Sequence, residues 1–144
     1  MNEFYQLTLS ANADFQLLVS SQLARLEMIP DVRASKRRLV HAGILSLRSS
    51  TKAVLEELAK DLIISKTDRG NKPKHQVIQV DRVFSDLARL ISASAAVDLG
   101  YRGHTRHFMH LGLVSLSTCD DEDFQTLIYA SNEYETAQNE DNTS

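Results

Sequence analysis

Residues 33–47 read RASKRRLVHAGILSL, and 69 positions later residues 102–116 read RGHTRHFMHLGLVSL. Six of the fifteen aligned positions are identical: Arg33/Arg102, Arg37/Arg106, His41/His110, Gly43/Gly112, Ser46/Ser115 and Leu47/Leu116. Most other positions exchange one apolar residue for another. At the same offset Phe15 aligns with Phe84, so the duplication extends upstream of the motif.

Working outward, each copy sits inside a similar run of elements. Upstream of the first copy, Phe15, Leu18, Val19, Leu23 and Leu26 fall at helical spacing and Pro30 ends the run, which predicts a first helix. Leu39, Val40, Gly43, Ile44 and Leu47 share one face of a second helix over about 31–47. A third follows over about 51–64, with Val54, Leu55, Leu58, Leu62 and Ile63 inward. The second half repeats the plan, with helices carrying Val83, Phe84, Leu87, Leu90 and Ile91, then the second motif copy, then Phe124, Leu127 and Ile128. Gly100 stands where a helix C-cap belongs, and Asp120–Asp123 stand at the positive end of the last helix.

The expected fold is therefore all-α, about six helices arranged as two pseudo-repeats of a three-helix unit. Residues 1–65 form the first repeat, 66–75 a basic linker loop, 76–137 the second repeat and 138–144 a disordered acidic tail. Two segments, 4–10 (FYQLTLS) and 76–80 (QVIQV), alternate polar and apolar residues weakly and read as short strands or extended lead-ins.

Composition sets the function class. The 144 residues contain five Gly, two Pro and one Cys, which favours helices and leaves no internal disulfide framework. With no apolar run near the roughly 20 residues of a membrane span, the expectation is a cytoplasmic protein without membrane contact. The net charge of −3 conceals three regions. Residues 1–31 carry −3, residues 32–118 carry +8 and residues 119–144 carry −8.

Within the basic body, Arg33, Arg37 and His41 recur four apart beside the apolar face of their helix, as do Arg102, Arg106 and His110. Lys36, Arg38 and Arg48 reinforce the first stripe, and His107 the second. The segment 32–48 holds five basic residues and no acid, whereas a merely solvated face mixes both signs. The loop adds Lys66, Arg69, Lys72 and Lys74. Guanidinium groups in such a pattern suit charge-assisted contacts with phosphate, so these fourteen residues are the candidate nucleic-acid contacts. Core packing is the competing role for Gly43, Gly112, the serines and the two histidines.

Other chemistry finds little support. His104, His107 and His110 point in different directions on a helix and lack a completing ligand, so no metal is expected. No nucleophile elbow, P-loop or dinucleotide fingerprint occurs, and the expectation is a non-enzymatic protein without a cofactor.

Helicity, length and basic helix surfaces resemble the small subunit of CRISPR effector complexes. That resemblance implies a subunit of a nucleoprotein assembly that contacts a target or displaced strand, or guide RNA, through the backbone. YQLTLS, HQVIQVD and AAVDLGYRGHTRHFMHLGL resemble tandem ribbon-helix-helix DNA-binding proteins, which implies paired strands with Gln6, Thr8 and Ser10 facing the major groove. A helical protein-protein adaptor is the third reading. Expected partners are DNA or RNA, other protein subunits and a second copy of the chain.

Overall fold

A computed structural model describes residues 4–9, 13–49, 77–98, 100 and 105–143, with the side chains of 14, 49 and 135–143 left aside. In chain order these form β1 (Phe4–Thr8), α1 (Ala13–Glu27), α2 (Lys36–Ser46) with a 3-10 turn at Leu47–Ser49, β2 (Val77–Asp81), α3 (Arg82–Asp98), α4 (Thr105–Thr118) and α5 (Asp121–Thr143). The described residues are predominantly helical with one short two-stranded sheet. The expected helix over 51–64 and the basic loop lie outside them. Among the described residues no helix is long and apolar enough to cross a membrane.

Local chemistry sets the helix ends. Asp31 adopts a left-handed φ of 65° directly after Pro30, a conformation that interrupts a helix and that Asp tolerates better than most residues. The second helix therefore starts at Lys36, five residues later than apolar spacing predicts, where the Ser35 hydroxyl accepts a bond from the Arg38 amide at 3.1 Å. Asp120 caps α5 in the same way, accepting from the Asp123 amide at 2.8 Å, and three acids occupy the first turn. Gly100 has φ 66°, the left-handed geometry expected of its position just past α3. At its other end α5 continues to Thr143, through a stretch whose polar composition reads as a tail.

The two alternating segments pair. β1 and β2 form an antiparallel ribbon in which Phe4 opposes Asp81, Gln6 opposes Gln79, Leu7 opposes Ile78 and Thr8 opposes Val77. A lone two-stranded ribbon is marginal in water. Here Leu7, Ile78 and Val80, with Leu9 just past β1, are buried in the core beneath it. The period of two sends Phe4, Gln6, Val77 and Gln79 to the outside, where all four are exposed.

The duplicated motif lies at the centre of the fold. α2 and α4 cross at Gly43 and Gly112, where a Cβ added to Gly43 would lie 2.6 Å from the Gly112 carbonyl carbon, and one added to Gly112 would lie 2.7 Å from that of Gly43. One turn on, the Ser46 hydroxyl donates to the Ser115 hydroxyl at 2.9 Å. His41 stacks on Phe84 at 4.0 Å between centroids, and His110 meets Phe15 at 5.1 Å. Glycine and serine thus meet their own counterparts, while each histidine meets the other half's phenylalanine. That pattern is a pseudo-twofold axis running through the α2/α4 crossing.

Gly43→Ala and Gly112→Ala are each expected to lower unfolding free energy by about 3 kcal/mol in denaturant titrations, because the new methyl meets backbone that cannot rotate away. Intrinsic helix propensity alone predicts a gain of about 1 kcal/mol instead. The sign of the change separates the two effects.

Candidate nucleic-acid interface

The outer face of the ribbon is framed by the N-terminal turns of α2 and α4. At one end, Arg37 in the first turn of α2 forms an ion pair with Asp81, the last residue of β2. Its guanidinium also lies over the Phe4 ring, 4.8 Å from the centroid. The Asp81 amide donates to His41 Nε2 at 3.2 Å, so α2 holds the end of β2 through both backbone and side chain.

At the other end, the counterpart Arg106 donates from Nε to the carbonyl of Thr8 at 3.1 Å. The Arg106 carbonyl in turn accepts from His110 Nδ1 at 2.8 Å. The two duplicated arginines therefore grip opposite ends of one ribbon, each brought there by the pseudo-twofold axis. Neither α2 nor α4 has an acid in its own first turn, so the positive dipole end of each lies beside the ribbon, with Asp81 alongside that of α2.

The other predicted contacts separate. Arg33 is exposed just ahead of α2, and Lys36 is half-buried at its first position, so both stay with the ribbon end. Arg38 faces away from it, donating to the Asn132 side chain of α5 at 3.2 Å. Arg48 is exposed in the turn after α2, roughly 18 Å along the helix from Lys36 at 1.5 Å per residue. His107 is half-buried and meets the Phe108 ring edge-on at 5.8 Å. Lys66, Arg69, Lys72, Lys74 and Arg102 lie outside the described residues.

His41 and His110 are corrections to the predicted contact surface. Their relative exposures are 0% and 6%, because ring contacts across the axis, stacked for His41 on Phe84 and tilted for His110 on Phe15, draw both into the core. Burial holds the His110 imidazole down at about 4, a shift that the hydrogen bond to the Arg106 carbonyl opposes and the charges of Arg106 and His107 reinforce.

Sequence reading assigns the contacts to arginines and passes over Phe4, Val77, Gln79 and Asp81. The signal is present in HQVIQVD, where an inward Ile78 and Val80 force Val77 and Gln79 outward. Chemically, this face offers two opposed carboxamides at its centre and apolar groups toward both ends. Five residues span about 17 Å, and a two-stranded ribbon is narrow enough for the roughly 12 Å major groove of B-form DNA. Among the described residues, no three His, Cys, Asp or Glu side chains come together as metal ligands.

A histidine whose folded pKa lies below its unfolded value of 6.5 takes up its proton preferentially on unfolding. Its share of stability is full above about pH 6.5 and is lost as pH falls toward about 4, reaching about 3 kcal/mol. Urea titrations at pH 7.5 and at about pH 4 are expected to show this slope, and His110→Phe to lack that part of it.

No family model, no curated protein and no solved structure matches the chain.

Proposed function

We propose that the protein is a non-enzymatic, sequence-reading DNA-binding protein, a single-chain tandem ribbon-helix-helix unit that lays its two-stranded ribbon in the major groove. The observation that carries this reading is the antiparallel pairing of β1 with β2, with Gln6 directly opposite Gln79 on an exposed face. A glutamine carboxamide matches the N6 donor and N7 acceptor of adenine, and Thr8 and Val77 offer methyl groups of the kind that pack on the thymine methyl. Arg33, Lys36 and the N-terminal turns of α2 and α4 stand beside the ribbon, where they serve phosphate contact and register rather than base choice.

This arrangement favours groove reading over the alternative of a backbone-binding subunit in a CRISPR-like assembly. That alternative needs the α2 arginines as one open cationic stripe. Arg37 instead pairs with Asp81, and Arg38 turns to Asn132 on α5. Among the described residues no comparable contact claims the Gln6 or Gln79 side chain.

The test begins with enrichment of bound duplexes from a random-sequence library and continues with anisotropy titrations of the enriched duplex against a scrambled one. Wild type is expected to prefer the enriched sequence, and Gln6→Ala and Gln79→Ala each to lose about 1–3 kcal/mol of that preference with an unchanged melting temperature. Arg33→Ala and Lys36→Ala are expected to weaken binding to both duplexes alike, each reducing the salt slope by about 1. Equal affinity of wild type for every duplex overturns groove reading.

A further inference from the structure

We infer that the duplex this chain selects is not a palindrome, and that Asp81 is the residue that breaks its symmetry. The asymmetry rests on groove reading by the ribbon, and it specifies how one flank of the target differs from the other.

The pseudo-twofold axis passes through the middle of the ribbon as well as through the helix crossing. Gln6 opposes Gln79, and a half-turn about that point carries Phe4 onto Val77, Gln6 onto Gln79 and Thr8 onto Asp81. These correspondences lie at an offset of 73, against 69 in the helices. The extra residues are 9–12, between β1 and α1, whereas Asp81 runs directly into Arg82. The arginines obey the same correspondence: Arg37 pairs with Asp81, and Arg106 donates to the carbonyl of Thr8. The outward face is therefore symmetric at its centre and different at its ends.

One end holds Thr8 opposite Val77, and the other holds Phe4 opposite Asp81. At the first, apolar methyl groups suit the thymine methyl, and the threonine hydroxyl donates as well as accepts. At the second, Phe4 is apolar like its counterpart Val77, so the difference lies chiefly in Asp81. An ionised carboxylate only accepts. The Arg37 guanidinium engages Asp81 Oδ1 and lies over the Phe4 ring, so both side chains are held in place before DNA arrives. A carboxylate fixed there suits the amino group of cytosine or adenine and opposes guanine O6 and N7 and thymine O4. With its side chain only 13% exposed, Asp81 acts more by rejecting acceptors than by reaching toward a donor.

From Phe4 to Thr8 the strand advances roughly 13 Å, about four base-pair steps of 3.4 Å. The expected target therefore has a centre that Gln6 and Gln79 read alike from both strands. About two base pairs to one side, thymine faces Thr8 and Val77; about two base pairs to the other, cytosine or adenine faces Asp81.

The experiment compares the motifs that wild type and the double variant Phe4→Val with Asp81→Thr enrich from a random duplex library. The double variant places valine and threonine at both ends of the ribbon. The other end already shows that the fold accommodates threonine opposite an arginine, since Arg106 binds a backbone carbonyl there. Wild type is expected to enrich a palindromic centre with unlike flanks, and the double variant a full palindrome carrying the Thr8/Val77 flank twice. In anisotropy titrations wild type is expected to bind its own duplex about tenfold more tightly than the palindrome, and the double variant to reverse that order.

Circular dichroism melts check that the double variant is folded. If it melts early, Asp81→Asn replaces it: a carboxamide donates as well as accepts, so rejection of guanine and thymine is expected to relax at that flank alone. A fully palindromic wild-type motif overturns the asymmetry and leaves groove reading standing. Variants that melt earlier but keep the wild-type flank preference give Asp81 a merely structural role and also overturn it. Enrichment of no motif by wild type overturns groove reading, and the asymmetry with it.

Discussion

The fold depends on the backbone contact between Gly43 and Gly112. A side chain at either position would stand closer than 3.0 Å to the opposing carbonyl carbon, so α2 and α4 approach as closely as they do only because both positions lack Cβ. At that separation the Ser46 and Ser115 hydroxyls, one turn further on, reach each other and share a bond between the halves. His41 and His110, half a turn back, are carried past the axis onto Phe84 and Phe15. A residue of alanine size at the crossing would push these partners apart together. The six identities of the repeat are therefore largely a description of one contact seen from its two sides.

The ribbon is a consequence of that contact. Phe4–Thr8 and Val77–Asp81 are far apart in the chain and too short to persist alone. The crossing of α2 and α4 brings the two first turns to opposite ends of the paired strands, where Arg37 and Arg106 bind a carboxylate and a carbonyl respectively. Arg37 is half-buried at the edge of the core, where an ion pair is worth more than on the open surface, whereas Arg106 is exposed and its bond to the Thr8 carbonyl is a surface contact. The sequence motif thus links packing to site without a change of residues: one turn of the helix aligns the strands, and the next packs the halves.

Helices were legible because periods near 3.6 survive in Phe15, Val19 and Leu26 and in Phe124 and Ile128, whatever surrounds them. The repeat also marked Gly43 and Gly112 as candidates for core packing, since glycine in the middle of two aligned apolar faces has few other uses. The strands were only half legible. Five residues give two alternations, and whether YQLTLS meets HQVIQVD is decided by helices that bring them together from 69 or more positions apart, not by either segment. The directions of the charged side chains were illegible for the same reason. Charge marked Arg37, Arg38 and Arg106 from sequence, yet their directions follow from where Asp81, Asn132 and Thr8 come to rest. His41 and His110 lay in the same basic stripe by spacing, and only the exchange of rings across the axis sends them inward. Gln6 was singled out only through the ribbon-helix-helix resemblance, and nothing in composition distinguished the uncharged Gln79 from other polar residues until the ribbon set the two face to face.

Covalent fusion of the two halves has a physical consequence for the ribbon. In a symmetric pair of chains, any change at one end of the ribbon is imposed on the other. Here the ends differ: Asp81 and Phe4 engage Arg37 at one, whereas Thr8 offers Arg106 only a backbone carbonyl at the other. The Asp81 carboxylate neutralises Arg37 and adds a negative group at the ribbon's edge, which disfavours a nearby phosphate. Arg106 remains exposed with its charge uncompensated by any carboxylate that binds it among the described contacts. On the proposed DNA reading the two ends would offer a polyanion different groups: Arg33, Lys36 and the Arg37–Asp81 pair at the Phe4/Asp81 end, and Arg106 at the Thr8/Val77 end. The central pair Gln6 and Gln79 is chemically identical in both orientations, so on that reading only the ends can distinguish one direction from the other.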